Sequence, residues 1–488
     1  MRIGTLKELV LYRYRYIVGM ILLIGFGVAM TSWQLGSVPP GFNREEIGSA
    51  IAAGSLSIDS ASFVNVPYYL LQKASLGVFG PSALGIRLPS IILAMLMAAA
   101  VFVLLRQWFG QNTAVVGTIL TVTASQFLME SRAGNPDIVY SLWTAALLAT
   151  AALVNRQRKG QQFWFWLFCL VAGLSLYTPF FAIILIVMGI GMALSRQSRG
   201  LLEEVGQGTL TLGGLTFAAV IAPLVYGIYK HPQQAFELIG ATQLASAAQT
   251  QEHLHFLLQS LFSLVPNDER LLIPALSLPG LLLALYGLYK SFRHFGNIRY
   301  AITVLLLGVS LVLFIFVPDA PFALLFVPIK LLVIFGLHAF ISNWYSLFPR
   351  NPYARIMALF PLALLLMVMV QFHYTRYFHG LARAEQVRLA YDGDITLIKH
   401  KLDSQPVLQS GTIVVGSDQK PFYALLQKNY PNLSVIAPSE LAGKDDTPIL
   451  IVAANQQKAV SSELPDVTPR FLADDRPGDA LRFRIYRK

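Results

Sequence analysis

The chain has 488 residues, of which 55% are hydrophobic and only 13% are charged. A soluble globular protein carries about 25% charged residues, so this composition excludes a soluble enzyme and favours a polytopic α-helical membrane protein. The net charge of +11 does not predict a nucleic-acid partner, because most charged residues flank apolar segments or lie near the C-terminus.

Eleven apolar runs are long enough to cross a membrane, since a helix of about 20 mostly apolar residues spans the hydrocarbon layer. Backbone groups in lipid must be paired within their own segment, so each run predicts a helix. The run 48–80 is too polar and too interrupted to span, and it predicts short interfacial helices in the first external loop. The predicted spans are 16–36, 83–105, 113–130, 137–154, 163–178, 179–195, 208–229, 271–290, 300–317, 321–342 and 354–373.

Basic residues occur in alternate loops along the whole chain, and the positive-inside rule assigns those loops to the cytosol. The rule predicts a cytosolic N-terminus, and an odd number of spans then places the C-terminal segment on the opposite, extracytoplasmic side. The basic loops contain Arg2, Lys7, Arg13 and Arg15; Arg106; Arg156, Arg158 and Lys159; Arg196 and Arg199; Lys290, Arg293 and Arg299; and Arg350 and Arg355.

The C-terminal segment has a different pattern from the spans. The stretch 411–441 reads as strand, helix and strand, and two further strand candidates lie at 448–456 and 482–488. This order predicts a small α/β domain. The sequence thus predicts a transmembrane domain over 1–378 and a soluble extracytoplasmic domain over 379–488.

Two adjacent carboxylates follow the first predicted span, in the stretch PPGFNREE at 39–46. Asn43 suits a helix N-cap and Glu46 lies three residues later, which is the spacing of a capping box. A capping role is one interpretation of this pattern. The other is compatible with it: Glu45 or Glu46, held at a helix start in a water-poor cleft, is well placed as a general base.

A second acidic site lies in the stretch SRAGNPD at 131–137, on the same predicted side. Pro136 suits the start of the next helix and Asp137 its first turn, where the helix dipole favours a negative charge. A structural role explains Asp137 taken alone. Asp137 lies close to Arg132 in the sequence. Two charged residues together in a bundle with few charges favour a functional role.

Three further cations lie in or beside apolar segments. Lys73 follows Tyr68 and Tyr69 in the interfacial stretch, Arg87 opens the second span, and Lys330 lies within PFALLFVPIKLLVIFG. Side chains at span ends can snorkel to the interface, which is the alternative interpretation of Arg87, whereas Lys330 is deeper. Fixed cations beside carboxylates suit a phosphate-bearing substrate and a nucleophile that needs activation.

Histidines in the loop 231–270 do not predict a metal site. His253 and His255 are two residues apart, which is not the i, i+4 spacing of helical zinc ligands. The segment HLHFLLQSLFSLV is better explained as an amphipathic interfacial helix. The remaining polar residues of that loop are His231, Glu252, Asp268 and Glu269.

The first third of the chain resembles the C-type membrane glycosyltransferases, in the bacterial branch related to protein O-mannosyltransferases and aminoarabinose transferases. The resemblance is carried by PPGFNREEIGSA, by the stretch from NVPYYLLQKASLGVFG to GIRLPS, and by SRAGNPDIVYSLWTAALL. The later stretch PDAPFALLFVPIKLL is similar to a proline-punctuated late span of the same family.

The resemblance implies roles for individual residues. Glu45 takes the position of the family's catalytic aspartate, Glu46 that of its glutamate neighbour, and Asp137 the second acidic position. Lys73 matches the family's phosphate-binding lysine in spacing, and Arg132 lies close to Asp137. The chain departs from the family at position 45, where the usual residue is aspartate.

The resemblance also implies the chemistry. A carboxylate deprotonates an acceptor hydroxyl, which attacks the anomeric carbon of a polyprenyl-phosphate sugar with inversion, while cations stabilise the departing phosphate. The implied partners are this donor, membrane lipids and a glycolipid, glycan or protein acceptor, at a bacterial plasma membrane. Tyr68 and Tyr69 are candidates for the lipid groove. Some relatives use a divalent metal; this sequence offers no persuasive ligand set for one, and a divalent metal cofactor stays an open alternative.

Two other functions fit parts of the pattern. A transporter or flippase of a lipid-linked or anionic substrate would also carry charges within a bundle, but it would often show internal repeats and polar groups at mid-bilayer. The sequence shows no such repeat, and its polar residues cluster towards one face. A non-catalytic relative of the enzyme is the third alternative, because of Glu45.

Overall fold

The computed structural model describes residues 14–39, 41–56, 62–156, 160–194, 206–240, 245–262, 276–348, 350, 352–357, 359–381, 391, 394–443, 449–453, 456, 465–467 and 483–487. The chain divides into two compact units. The first unit comprises Met1–Trp33, Asp59–Pro67 and Ser90–Ala384, and the second comprises Gln34–Ile58, Tyr68–Pro89 and Glu385–Lys488.

Apolar helices make up most of the described residues before 382. In chain order they are α1 Arg15–Ser32, α2 Arg44–Ser55, α3 Val66–Phe79, α4 Ala83–Phe109, α5 Gln111–Val122, α6 Ser125–Arg132, α7 Asp137–Arg156, α8 Gln161–Ser175, α9 Phe181–Leu194, α10 Gln207–Lys230, α11 Gln233–Ile239, α12 Ala247–Phe262, α13 Leu278–Arg293, α14 Ile298–Phe316, α15 Ala323–Leu347, α16 Pro352–Met357 and α17 Leu359–Tyr374. A π-helical segment, Thr375–Leu381, continues α17.

The described helices establish an integral membrane protein but do not confirm eleven spans. Among the described residues, six helices are long and apolar enough to cross a membrane, or seven if α5 and α6, which are bent by 64° at a short break, form one span. Shorter apolar helices cover Ile17–Ser32, Gln161–Ser175 and Phe181–Ala193. The difference has two sources: several apolar runs fold into helices of fewer than 18 residues, and part of the predicted span 271–290 lies outside the described residues.

Helices α13 and α15 pack with their backbones in contact. A Cβ atom added to Gly287 would lie 1.9 Å from the carbonyl oxygen of Leu332, and one added to Gly336 would lie 2.0 Å from that of Leu283. Small residues allow such close approach between membrane helices, where tight packing is a main source of association.

The substitution Gly336→Ala should therefore destabilise the first unit. The new methyl group has to displace backbone atoms of α13, and overpacking of this kind typically costs about 1–3 kcal/mol. Thermal unfolding in detergent measures the loss. Gly308→Ala on α14 is the matched control, because a methyl group added there would meet no heavy atom within 4 Å; an equal loss in both variants would contradict this packing account.

A small mixed sheet forms the core of the second unit. Its strands are β1 Thr412–Val414, β2 Ser434–Ile436, β3 Ile449–Ala453 and β4 Phe483–Arg487, in the order β2-β1-β3-β4. Strand β1 is parallel to β2 and β3, and β4 is antiparallel to β3. Each strand lies within a segment that the sequence analysis predicted as a strand, and β1 and β3 are buried along their whole length.

Helices of the same unit flank this sheet. They are α18 Asp394–Ser404 and α19 Lys420–Tyr423, together with short 3₁₀ segments at Pro406–Ser410, Ala424–Lys428 and Pro438–Gly443. The sequence predicts that 44–55 belongs to the domain 1–378, whereas in the structure Phe42 and Ala50 share one hydrophobic core with residues of the sheet. This shared core fixes the start of α2.

Candidate active site

Helix α2 begins with the capping box that the sequence predicted. The Asn43 side chain accepts a hydrogen bond from the Glu46 backbone N–H at 2.7 Å, and the Asn43 N–H donates to Glu46 Oε2 at 3.0 Å. These two bonds satisfy backbone donors that a helix start otherwise leaves unpaired. The direction in which the chain enters the helix is thereby fixed.

Glu46 also forms a fully buried ion pair with Arg87. Arg87 Nε donates to Glu46 Oε1 at 2.8 Å, Arg87 Nη2 donates to Oε2 at 3.1 Å, and both side chains are essentially inaccessible to solvent. A bidentate pair of this kind adds geometric precision to its attraction. Glu46 therefore holds a guanidinium and a helix cap at the same time.

The rest of the Arg87 guanidinium holds the loop before α2. It donates to the carbonyl oxygens of Leu35 at 2.7 Å, Pro39 at 3.3 Å and Gly41, and it lies 5.2 Å from the centroid of the Phe42 ring. Arg87, which the sequence analysis assigned to substrate binding, thus orders the loop that leads to the two glutamates.

Glu45 occupies the next position on the helix but has a different environment. Its side chain is exposed, whereas that of Glu46 is buried. Successive helical residues are rotated by about 100° around the axis, so the two carboxylates point in different directions. The geometry separates a carboxylate that is accessible to a substrate from one that organises the structure.

Lys73 and the two tyrosines lie on α3. Lys73 is exposed, and its Nζ donates to the carbonyl oxygen of Leu56, the C-cap of α2, at 2.5 Å. A cation at a helix C-terminus is favourable by itself. Tyr68 is buried and Tyr69 is half-buried, and their rings meet edge to face at 5.9 Å.

In the first unit, Arg132 ends α6 and is completely buried. Its Nε donates to the Tyr377 hydroxyl at 3.1 Å, and its Nη1 donates to the carbonyl oxygen of Trp33 at 2.6 Å. The guanidinium also lies 5.1 Å from the centroid of the Phe378 ring. These contacts join the end of α6 to the end of α1 and to the π-helical segment.

Asp137 is the first residue of α7, as Pro136 and the helix dipole predicted. It is half-buried, and Asn135 Nδ2 donates to its Oδ2 at 2.8 Å. Glu45 belongs to the second unit and Asp137 to the first.

The structure contains a buried carboxylate that the sequence analysis missed. Glu130 accepts hydrogen bonds from Ser141 Oγ at 2.6 Å and from Gln126 Nε2 at 2.8 Å. A signal for it was present, because a glutamate within a predicted span is unusual and marks a candidate functional group. Lys330 is buried on α15 and lies near His373, which the sequence analysis also passed over.

The described residues include no group of three or more histidine, cysteine or acidic side chains arranged to hold a metal ion. His253 stacks on Phe314 at 5.4 Å between ring centroids, within the helix predicted for that segment. Asp268 and Glu269, the acidic residues of the same loop, lie outside the described residues.

Residues 66–226 match the dolichyl-phosphate-mannose-protein mannosyltransferase family. Over 97% of its length, the chain superimposes on 98% of ArnT from Cupriavidus metallidurans bound to undecaprenyl phosphate, with a TM-score of 0.58 and 12% identity. The chain therefore has the fold of the C-type membrane glycosyltransferases. The resemblance seen in its first third is confirmed.

Other solved structures share the C-type fold. The apo state of the same ArnT covers 97% of this chain and 98% of its own at a TM-score of 0.55 and 13% identity. The oligosaccharyltransferase of Archaeoglobus fulgidus, tethered with an acceptor peptide, matches 91% of this chain and 70% of its own at a TM-score of 0.53 and 12% identity. No curated protein matches the sequence.

Proposed function

We propose that the chain is an inverting glycosyltransferase that moves a sugar from a polyprenyl-phosphate donor to an acceptor hydroxyl. The proposal rests on the C-type fold, on the family match over 66–226 and on the undecaprenyl phosphate bound by the ArnT structure with which the chain shares its fold. The observation that carries it is the presentation of Glu45, an exposed carboxylate on a helix whose start is fixed by the Glu46–Arg87 pair.

Glu45 is the general base in this mechanism. Its carboxylate accepts the proton of the acceptor hydroxyl as the hydroxyl oxygen attacks the anomeric carbon. The bond from that carbon to the phosphate oxygen breaks, and the electron pair leaves with the polyprenyl phosphate. Attack from the face opposite the phosphate inverts the anomeric configuration, and general-base assistance of this kind contributes about 10²–10⁴-fold to the rate.

The other site residues divide into two roles. Lys73 is exposed and supplies positive charge for the donor phosphate, with Tyr69 beside it for the lipid chain. Glu46, Arg87, Arg132 and Tyr68 are buried and act as positioning residues. Asp137, in the first unit, stays a second acidic candidate, and Asn135 donates to its carboxylate.

The reaction is assigned to the extracytoplasmic face of a bacterial plasma membrane. The alternation of basic loops supports a cytosolic N-terminus, with 39–46 and 131–137 on the opposite side. The acceptor is a glycolipid, a glycan or a protein hydroxyl, and the second unit is the candidate for its recognition. For each of these acceptors, the Asn43 cap and the buried Glu46–Arg87 pair have the same role, which is to hold the general base Glu45 in position.

Lys73→Ala should weaken binding of polyprenyl phosphate by about tenfold or more, the equivalent of one lost charge-assisted contact. Binding of undecaprenyl phosphate to the detergent-solubilised full chain, followed by tryptophan fluorescence or microscale thermophoresis, measures the loss.

Lys399→Ala is the matched control for this experiment. Lys399 Nζ also donates to a carbonyl at the end of a helix, that of Phe79 at 3.1 Å, so the control reproduces the loss of a helix-capping cation. Equal affinities in wild type, Lys73→Ala and Lys399→Ala would remove Lys73 from the donor site. An equal loss in both variants would assign the effect to the fold.

A further inference from the structure

A small cavity with five polar and six apolar lining residues lies within the first unit, between the break that separates α5 from α6, the start of α15 and the end of α17. Its volume is about 20 Å³, which accommodates one water-sized species. The polar side chains that line it are Ser125, Gln126, Ser260, Lys330 and His373.

His373 presents an unpaired ring nitrogen in this cavity. The side chain is 3% exposed, its Nδ1 lies 3.2 Å from Ser125 Oγ, and its Nε2 has no hydrogen-bond partner among the described residues. When the Ser125 hydroxyl donates to Nδ1, the proton of the neutral imidazole is on Nε2. A buried donor without a partner is costly, so a ligand that accepts from Nε2–H would be stabilised here.

Lys330 adds positive charge to the same cavity. It is 6% exposed, its Nζ lies 5.8 Å from the centroid of the Phe326 ring, and no carboxylate is among the described residues that line the cavity. The nearby Glu130 instead accepts from Gln126 and Ser141. A cation at this depth requires compensation by a counter-ion or by water.

The backbone is irregular where it lines the cavity at the α5–α6 break, and again shortly after His373 in the chain. Helices α5 and α6 meet at an angle of 64°, and the π-helical segment Thr375–Leu381 begins two residues after His373. Irregular backbone within a membrane protein occurs where it is buried in protein or lines a polar cavity, and π-helical turns are frequent at functional sites. The break between α5 and α6, whose Ala124 and Ser125 line the cavity, therefore favours a binding site over a packing defect.

We propose that this cavity is an anion site, which holds one phosphate oxygen or one small inorganic anion between the Lys330 ammonium and the His373 Nε2–H. Both groups are donors, and the cavity accepts a single atom of oxygen or halide size. The anion belongs either to a lipid phosphate or to free salt, and the first of these sources rests on the proposed function.

Anion-dependent thermal unfolding of the full chain in detergent tests the proposal. Sodium bromide, inorganic phosphate and undecaprenyl phosphate are titrated separately at an ionic strength held constant with sodium gluconate. We expect at least one of them to raise the unfolding midpoint saturably, with an apparent affinity about tenfold weaker in Lys330→Met and in His373→Phe. Lys230→Met, which removes an exposed lysine from α10, should respond like the wild type.

The three titrations distinguish the sources of the anion. A response to bromide or inorganic phosphate that depends on Lys330 assigns the site to a free anion, and soaked wild-type crystals should then show bromide anomalous scattering in the cavity. A response to undecaprenyl phosphate alone that depends on Lys330 but survives in Lys73→Ala assigns it to a lipid phosphate. No response in the wild type, or equal responses in wild type and Lys330→Met for all three, would overturn the proposal.

The binding measurement is independent of catalysis. Glu45→Gln should bind the anion as the wild type does, so a failure of sugar transfer and a failure of anion binding are separate results.

Discussion

Glu45→Gln is expected to reduce sugar transfer by about 10²–10⁴-fold while leaving the protein folded. Glutamine keeps the size of the side chain but cannot accept a proton from the acceptor hydroxyl. The Asn43–Glu46 cap and the Glu46–Arg87 pair do not involve the Glu45 carboxylate, so the helix start should persist. Transfer of labelled sugar by the purified chain, measured alongside the unfolding midpoint, reports both quantities.

Two further variants sharpen this test. Glu45→Asp restores a carboxylate and the usual residue of the family, so it should retain far more activity than Glu45→Gln. Glu237→Gln changes another exposed glutamate, on α11, and should be as active as the wild type. Full activity in Glu45→Gln would remove the base assignment, and equal inactivity of the aspartate and glutamine variants would indicate a steric role for position 45.

Arg87→Met is expected to destabilise the second unit by about 3–5 kcal/mol, the usual cost of leaving one partner of a buried ion pair without the other. Arg87 also holds the carbonyl oxygens of Leu35 and Pro39, so the loop before α2 should lose its order. Chemical unfolding in detergent measures the stability, and sugar transfer should fall because Glu45 is no longer held in place.

The control variants separate the pair from a general effect of removing charge. Arg106→Met removes an exposed arginine from the other end of the same helix, α4, and should change stability little. The double variant Arg87→Met with Glu46→Met removes both buried charges, and it should recover part of the stability that Arg87→Met loses. If Arg87→Met loses no more unfolding free energy than Arg106→Met does, the Glu46–Arg87 pair is not important for the fold.

The features that the sequence predicted are those set by neighbours in the chain. The capping box of Asn43 and Glu46 depends on three residues of spacing, and the start of α7 at Asp137 depends on the preceding proline. Strands β1 and β3 were readable because each lies in a continuous apolar run bounded by turn residues. The order of short motifs in the first third was sufficient to indicate the C-type fold.

The features that the sequence did not predict depend on residues distant along the chain. Arg87 lies 41 residues from Glu46, and its charge alone did not distinguish a substrate contact from a buried partner. Ser125 and His373 are 248 residues apart, so neither indicated the cavity. The count of eleven spans is not confirmed, because hydropathy does not show where an apolar run forms a helix of fewer than 18 residues.

The most direct test of glycosyl transfer is mass spectrometry of the lipid-linked and envelope glycan pools of cells with and without the gene. We predict that deletion removes one specific sugar modification and accumulates its polyprenyl-phosphate donor, and that the wild-type gene restores the modification whereas the Glu45→Gln gene does not. Identical pools in all these strains, or movement of a solute across the membrane without any change in glycans, would contradict the proposed activity.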